Sequence, residues 1–156
     1  MTTRRRFLLL AGGAALGTAA EAQLPPNIAQ LRKAALEEAV RQVTGGAALR
    51  RGRVKLELPP LIDNGNSVPL AVAVESPMTP ADHVRSIHVF AEKNPQPYVI
   101  AAHLGPRAGR ARIATRARIA DTGAVLAIAE MSDGTFWSDS VDVVVTLSAC
   151  LEDGLI

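Results

Sequence analysis

Arg110-Ala111-Arg112-Ile113-Ala114-Thr115-Arg116-Ala117-Arg118-Ile119 is the stretch that decides the fold class. Ala111, Ile113, Thr115, Ala117 and Ile119 fall on one side, and Arg110, Arg112, Arg116 and Arg118 on the other. A period of two is the side-chain period of a strand, whereas a helix would spread the arginines around its axis. One face is suited to a core and one to water, as in an antiparallel sheet that is wet on one side. The arginine row reads as that solvated face, with charges that deter edge pairing. The alternative is a patch that attracts an anion or a partner.

The same period recurs on both sides of this stretch. Strands are expected over 53–58, 68–75, 85–91, 98–104, 110–119, 124–131 and 136–147. Val54, Leu56 and Leu58 align in the first, and Val68, Leu70, Val72 and Val74 in the second. The breaks carry turn chemistry: Asp63-Asn64-Gly65-Asn66, Asn94-Pro95-Gln96-Pro97, Asp121-Thr122-Gly123 and Ser132-Asp133-Gly134-Thr135. The last of these reads as a hairpin turn. The gaps are too short for the crossover helices of a parallel sheet. The expectation is an all-β, immunoglobulin-like antiparallel sandwich of about seven strands. Before it, Asn27 to Val43 reads as a helix with Asn27 as N-cap. Its stripe is Ile28, Leu31, Ala35, Leu36, Ala39, Val40 and Val43, and Thr44-Gly45-Gly46 stops it.

The first 22 residues read as an export signal. Arg4, Arg5, Arg6 and Phe7 open a basic start that suits the twin-arginine route, and a short apolar run follows. Ala20 and Ala22 frame the cleavage site, so that the exported chain begins at Gln23. The run is short of the roughly 20 apolar residues a membrane span needs, and the expected location is the periplasm. The chain holds 17 Lys+Arg and 15 Asp+Glu, of which the leader takes three and one. The exported part is therefore electrically balanced, and bulk charge gives no reason to expect nucleic-acid binding. The expected organisation is 1–22 signal, 23–52 helix and linker, 53–147 sandwich and 148–156 C-terminal arm.

Familiar enzyme signatures are missing: no Gly-x-Ser-x-Gly, phosphate loop, His-Glu-x-x-His or Cys-x-x-Cys. His83, His88 and His103 lack metal-ligand spacing. A copper site from Met78, Met131 and a histidine is conceivable, but partly buried or surface histidines on strands are the simpler reading. Cys150 is the single cysteine, and it follows the last strand. It is either a reactive thiol on a terminal segment or a small apolar filler at a strand end.

Several stretches resemble SoxY, the sulfur-carrier subunit of the bacterial thiosulfate-oxidising system. They are Val54-Lys55-Leu56-Glu57-Leu58-Pro59, Asp63-Asn64-Gly65-Asn66-Ser67-Val68-Pro69 and Val74-Glu75-Ser76-Pro77-Met78-Thr79. Val84-Arg85-Ser86-Ile87-His88-Val89-Phe90-Ala91, Asn94-Pro95 and Ala129-Glu130-Met131-Ser132-Asp133-Gly134 complete the set. The resemblance implies a carrier rather than an enzyme, without cofactor or metal of its own. It implies covalent sulfur attachment at Cys150 and a heterodimer with a SoxZ-like subunit. It also implies transient contact with a c-type haem enzyme, a hydrolase with a manganese centre and a molybdenum-containing dehydrogenase. The family arm reads Gly-Gly-Cys-Gly-Gly, whereas this chain has Ser148-Ala149-Cys150-Leu151-Glu152-Asp153. That departure leaves a second reading, a SoxY-type binding module that pairs with a SoxZ-like subunit and serves another periplasmic redox enzyme.

Overall fold

Alternating burial along Val68–Val74 places Val68, Leu70, Val72 and Val74 in a core and leaves Pro69 exposed. The other long strands do likewise, and two sheets close over the shared interior. A computed structural model describes residues 26–147. The small sheet has the order β2 (Val54–Glu57), β4 (Val68–Val74), β7 (Arg112–Ala117), all antiparallel. The large sheet runs β1 (Leu49–Arg50), β9 (Phe136–Val145), β8 (Gly123–Met131), β5 (Val84–Ala91), β6 (Tyr98–His103), with β3 (Leu61–Ile62) also on β9. The helix α1 (Pro26–Thr44) makes a third layer on the outer face of the large sheet.

The fold is thus the expected immunoglobulin-like sandwich. Each of the seven expected strands is present, some with shorter ends. Two two-residue strands, β1 and β3, are additional, and both pair with β9 in parallel. Their pairing is compatible with the short gaps, because each reaches β9 from far away in the chain. Between the sheets lie Val54, Leu56, Val72, Ile87, Val89, Ala127, Ala129, Val143 and their neighbours. Aliphatic side chains fill this interior, as a chain with 3% aromatic residues requires. Phe90, Ile128 and Phe136 point the other way, under Leu36, Ala39, Val40 and Val43 of the helix. Covering a side chain the size of Phe90 is worth roughly 1.5–3 kcal/mol.

Three local expectations need correction. The helix begins at Pro26, so Asn27 lies in its first turn; its Oδ1 accepts the N–H of Ile28 rather than that of a residue further along. Leu31 is 66% exposed and Ala35 is also exposed, because only the second half of the stripe lies over the sheet. Thr115 is exposed as well, since β7 is an edge strand that the facing sheet covers only in part. At the two turns that demand it, glycine takes a positive φ. Gly45 (φ 62) ends the helix with its N–H on Arg41 O at 2.8 Å. Gly134 (φ 79) closes the β8–β9 hairpin, where Asp133 Oδ1 accepts from Thr135 N at 2.8 Å.

Candidate functional site

Cys150 lies outside the described residues, as do Arg4, Arg5, Arg6, Phe7, Ala20 and Ala22. The structure does show the platform from which the C-terminal arm departs. β9 ends at Val145, whose N–H donates to Thr122 Oγ1 at 2.9 Å. Thr146 N donates to Ile62 O at 2.9 Å, and its hydroxyl to Asp63 O at 3.1 Å. Leu147 O accepts Gly65 N at 3.0 Å, and Gly65 O accepts Ile119 N at 2.8 Å. The Asp63–Ser67 turn therefore ties the last described residue to the end of the arginine strand. Leu61, Val144 and Leu147 surround the exit and are all more than half exposed.

Arg110, Arg112, Arg116 and Arg118 are exposed, as the alternation of β7 predicts. Arg112 meets Glu57 at 3.7 Å, an exposed pair that contributes little stability. Arg116 Nη1 donates to Ser67 O at 3.3 Å. Arg116 and Arg118 border a cleft of about 590 Å³ on the open side of the sandwich, between the edge strands β6 and β7. Asn94, Gln96, Tyr98, Val99 and Ile100 line its other parts. Asn94 is held in place: Nδ2 donates to Arg118 O at 2.9 Å and Oδ1 accepts Ala120 N at 2.7 Å.

A second polar group occupies the outer face of the large sheet, past the helix. Ser86 Oγ lies 3.1 Å from Glu130 Oε2 and 2.8 Å from His88 Nε2, and His88 Nδ1 lies 2.7 Å from Tyr98 Oη. An ionised carboxylate only accepts, so the Ser86 hydroxyl donates to Glu130. Its oxygen then accepts from His88 Nε2–H, and Nδ1 accepts from Tyr98. Arg85 Nη1 meets Glu130 Oε1 at 3.3 Å. Burial, reinforced by nearby His103, moves the His88 pKa below its usual 6.5, which keeps the ring neutral. Burial also raises the Tyr98 hydroxyl above its usual 10.0. The chain of hydrogen bonds is satisfied without a charge on the imidazole.

His83 is elsewhere, with Nδ1 3.1 Å from Thr79 O. Met131 is fully buried in the main core and Met78 nearly so, where both pack among aliphatic side chains. Among the described residues no group of His, Cys, Asp and Glu has the arrangement of a metal site. What the sequence reading missed is the meeting of Ser86, His88, Tyr98, His103 and Glu130. Ser86 and His88 stand two apart on one strand. The pairings Ser86↔His103 and Ser86↔Glu130 bring in His103 and Glu130, and Phe90↔Tyr98 brings in the tyrosine. Their alternation was visible, but their partners depended on the strand order.

The family model described as sulfur oxidation protein SoxY matches residues 40–150. No curated protein matches the chain. Among solved structures, the sulfur carrier protein SoxY from Chlorobium limicola f thiosulfatophilum aligns with a TM-score of 0.61 at 23% identity, over 73% of this chain and 98% of that one. Superoxide reductase (neelaredoxin) from Ignicoccus hospitalis aligns with a TM-score of 0.54 at 17% identity, over 60% and 80%. Superoxide reductase from Nanoarchaeum equitans aligns at 0.51 and 11%, over 62% and 100%. These structures share the sandwich and at such identities speak for fold alone. The family match spans most of the chain and ends on its one cysteine, so the chain belongs to the SoxY family of sulfur oxidation proteins.

Proposed function

We propose that this chain is an exported carrier in thiosulfate oxidation that holds sulfur intermediates covalently on Cys150. The observation that carries the reading is the family match, which runs from α1 through the sandwich and finishes at Cys150. The pinned end of β9 supports it, because a cargo arm needs a rigid base. Joining thiosulfate to the thiol forms an S–S bond, releases the thiol proton and removes two electrons. Those electrons pass to an external acceptor, for which the proposed partner is a c-type haem enzyme. Water then cleaves the S–SO₃ bond, sulfate leaves and a persulfide stays on Cys150. The proposed catalyst is a hydrolase with a manganese centre, and a molybdenum-containing dehydrogenase acts on the remaining sulfur. The basic leader with Arg4, Arg5, Arg6 and Phe7 supports a periplasmic setting. No described helix is long and apolar enough to cross a membrane.

A specific feature favours a second reading. Leu151 and Glu152 stand where the family arm has glycine, with Asp153 directly after them, and their bulk and charge hinder entry into a narrow active site. In that reading the domain pairs with a SoxZ-like subunit and serves another redox enzyme without carrying sulfur. Intact-mass analysis of protein purified from thiosulfate-grown cells separates the two. The carrier shows sulfur or thiosulfate adducts that vanish in Cys150→Ser. A thiol that is never modified, in protein that still co-purifies with its partner subunit, establishes the second reading instead.

A further inference from the structure

We propose that the outer edge of β7 docks an extended, antiparallel segment of another protein in which acidic and apolar residues alternate. The ladder supplies the hydrogen-bonding groups. Among the described strands β7 pairs only with β4, so one of its edges has no strand beside it. Val74 N donates to Ala111 O at 2.8 Å, and antiparallel bonding alternates from there. Ile113, Thr115 and Ala117 therefore turn their backbone groups to β4. Arg112, Ala114 and Arg116 turn theirs outwards, a template to which a further strand can add. Beyond Arg116 a side chain already pairs this edge. Asn94 Nδ2 donates to Arg118 O at 2.9 Å, and its Oδ1 accepts Ala120 N at 2.7 Å. One amide thus brackets Ile119 with a donor and an acceptor, as the backbone of a neighbouring strand would.

The side chains define the partner. Arg112 and Arg116 are exposed on the outer face with Ala114 between them. The contact of Arg112 with Glu57, at 3.7 Å, is exposed and weak. Arg116 reaches Ser67 through Nη1, and its other nitrogens keep donor capacity. An incoming strand sets alternate residues directly opposite these arginines, where opposite charges stabilise and like charges repel. Its remaining residues fall on the inner side with Ile113, Thr115 and Ala117, towards the cleft of about 590 Å³ that Val99 and Ile100 also line. Ile113 is only partly buried and Thr115 is exposed, so apolar residues there extend the core. A second copy makes a poor partner. Paired antiparallel through the same edge and centred on Ala114, it would set Arg112 against Arg116 twice. The arginine row thus deters self-pairing and selects an acidic strand.

The docking goes beyond the carrier reading and makes no use of the thiol, so either can fail while the other stands. The probe is a short synthetic peptide of alternating glutamate and valine, added to the full chain and followed by amide hydrogen exchange. Docking predicts exchange slowed several-fold at Arg112, Ala114 and Arg116, whose amides face outwards. A peptide of alternating lysine and valine gives no such protection, nor does one with its glutamates and valines in separate blocks. Arg112→Gln with Arg116→Gln weakens binding several-fold, as does added salt. Antiparallel pairing puts the glutamates in the hydrogen-bonded positions. Methylating their backbone nitrogens abolishes protection, whereas methylating those of the valines spares it. This peptide pair leaves the protein unaltered, so it decides the matter even if the arginine variants fail to fold. Absence of binding, binding that leaves the three amides unprotected, or equal protection by the lysine peptide overturns the proposal. So does protection without peptide: growing with protein concentration it means pairing between copies, and independent of concentration it means that the chain's own remaining segments cover the edge.

Discussion

Ser86 shows how one small side chain can decide the state of its neighbours. It is 2% exposed, accepts from His88 and donates to Glu130, so its single hydroxyl sets the direction of the whole hydrogen-bond chain. With the His88 pKa depressed by burial, the unfolded chain binds a proton at a higher pH than the folded one does. The stabilising contribution of the neutral ring is complete above the ordinary value of 6.5 and is lost as the pH falls through the folded pKa. Denaturant titrations across this range should therefore show stability declining towards acid. The decline should be shallower in His88→Gln, which retains hydrogen-bonding capacity without titrating. Equal slopes in the two proteins would exclude this role for His88. The histidine itself was visible in the sequence as a strand residue. Its neutral state was not, because desolvation depends on what the other strands and His103 bring around it.

At the scale of elements, β9 does most of the joining. It pairs with β8 on one side and with β1 and β3 at the two ends of the other. Its hydrogen bonds to Thr122 hold the end from which the arm departs. Thr122→Val keeps the shape and removes the acceptor for Val145 N, with an expected loss of about 1 kcal/mol. Hydrogen exchange should quicken at Val145 and Thr146 while Val84–Ala91 stays protected; uniform protection would show that Thr122 does not hold this end. The alternation of β9 was legible from Val141, Val143 and Val145. β1 and β3 were not, because two residues carry no period and exist as strands only through their partner. The helix was legible through Leu36, Ala39, Val40 and Val43, but the exposure of Leu31 follows from how far the sheet extends beneath it.

Across the whole molecule, the sheets must also be joined along an edge, and Asp139 does this. Its Oδ2 accepts the backbone N–H of Leu56 at 2.9 Å, linking β9 of the large sheet to β2 of the small one. On the opposite side the cleft between β6 and β7 stays open. The sandwich is therefore closed on one side and accessible on the other. Asp139→Ala leaves the Leu56 N–H without its acceptor and should cost roughly 1–3 kcal/mol. Thermal unfolding would show this as a lowered midpoint of one cooperative transition. An unchanged midpoint would mean that the edge link is dispensable.

From the sequence by itself follow the strand period, the turns, the all-β class and a lone thiol beyond the last strand. These depend on local alternation and on residues such as Gly134, whose conformation is a local matter. Only the tertiary structure decided that Ser86, His88, Tyr98 and Glu130 form one network, and that Leu147 leaves the domain beside the arginine strand. The reason is that a period of two tells which face a side chain occupies. Which strand lies next to it is settled by long-range pairing, and with it the neighbours that set a charge, a hydrogen bond or the reach of an arm.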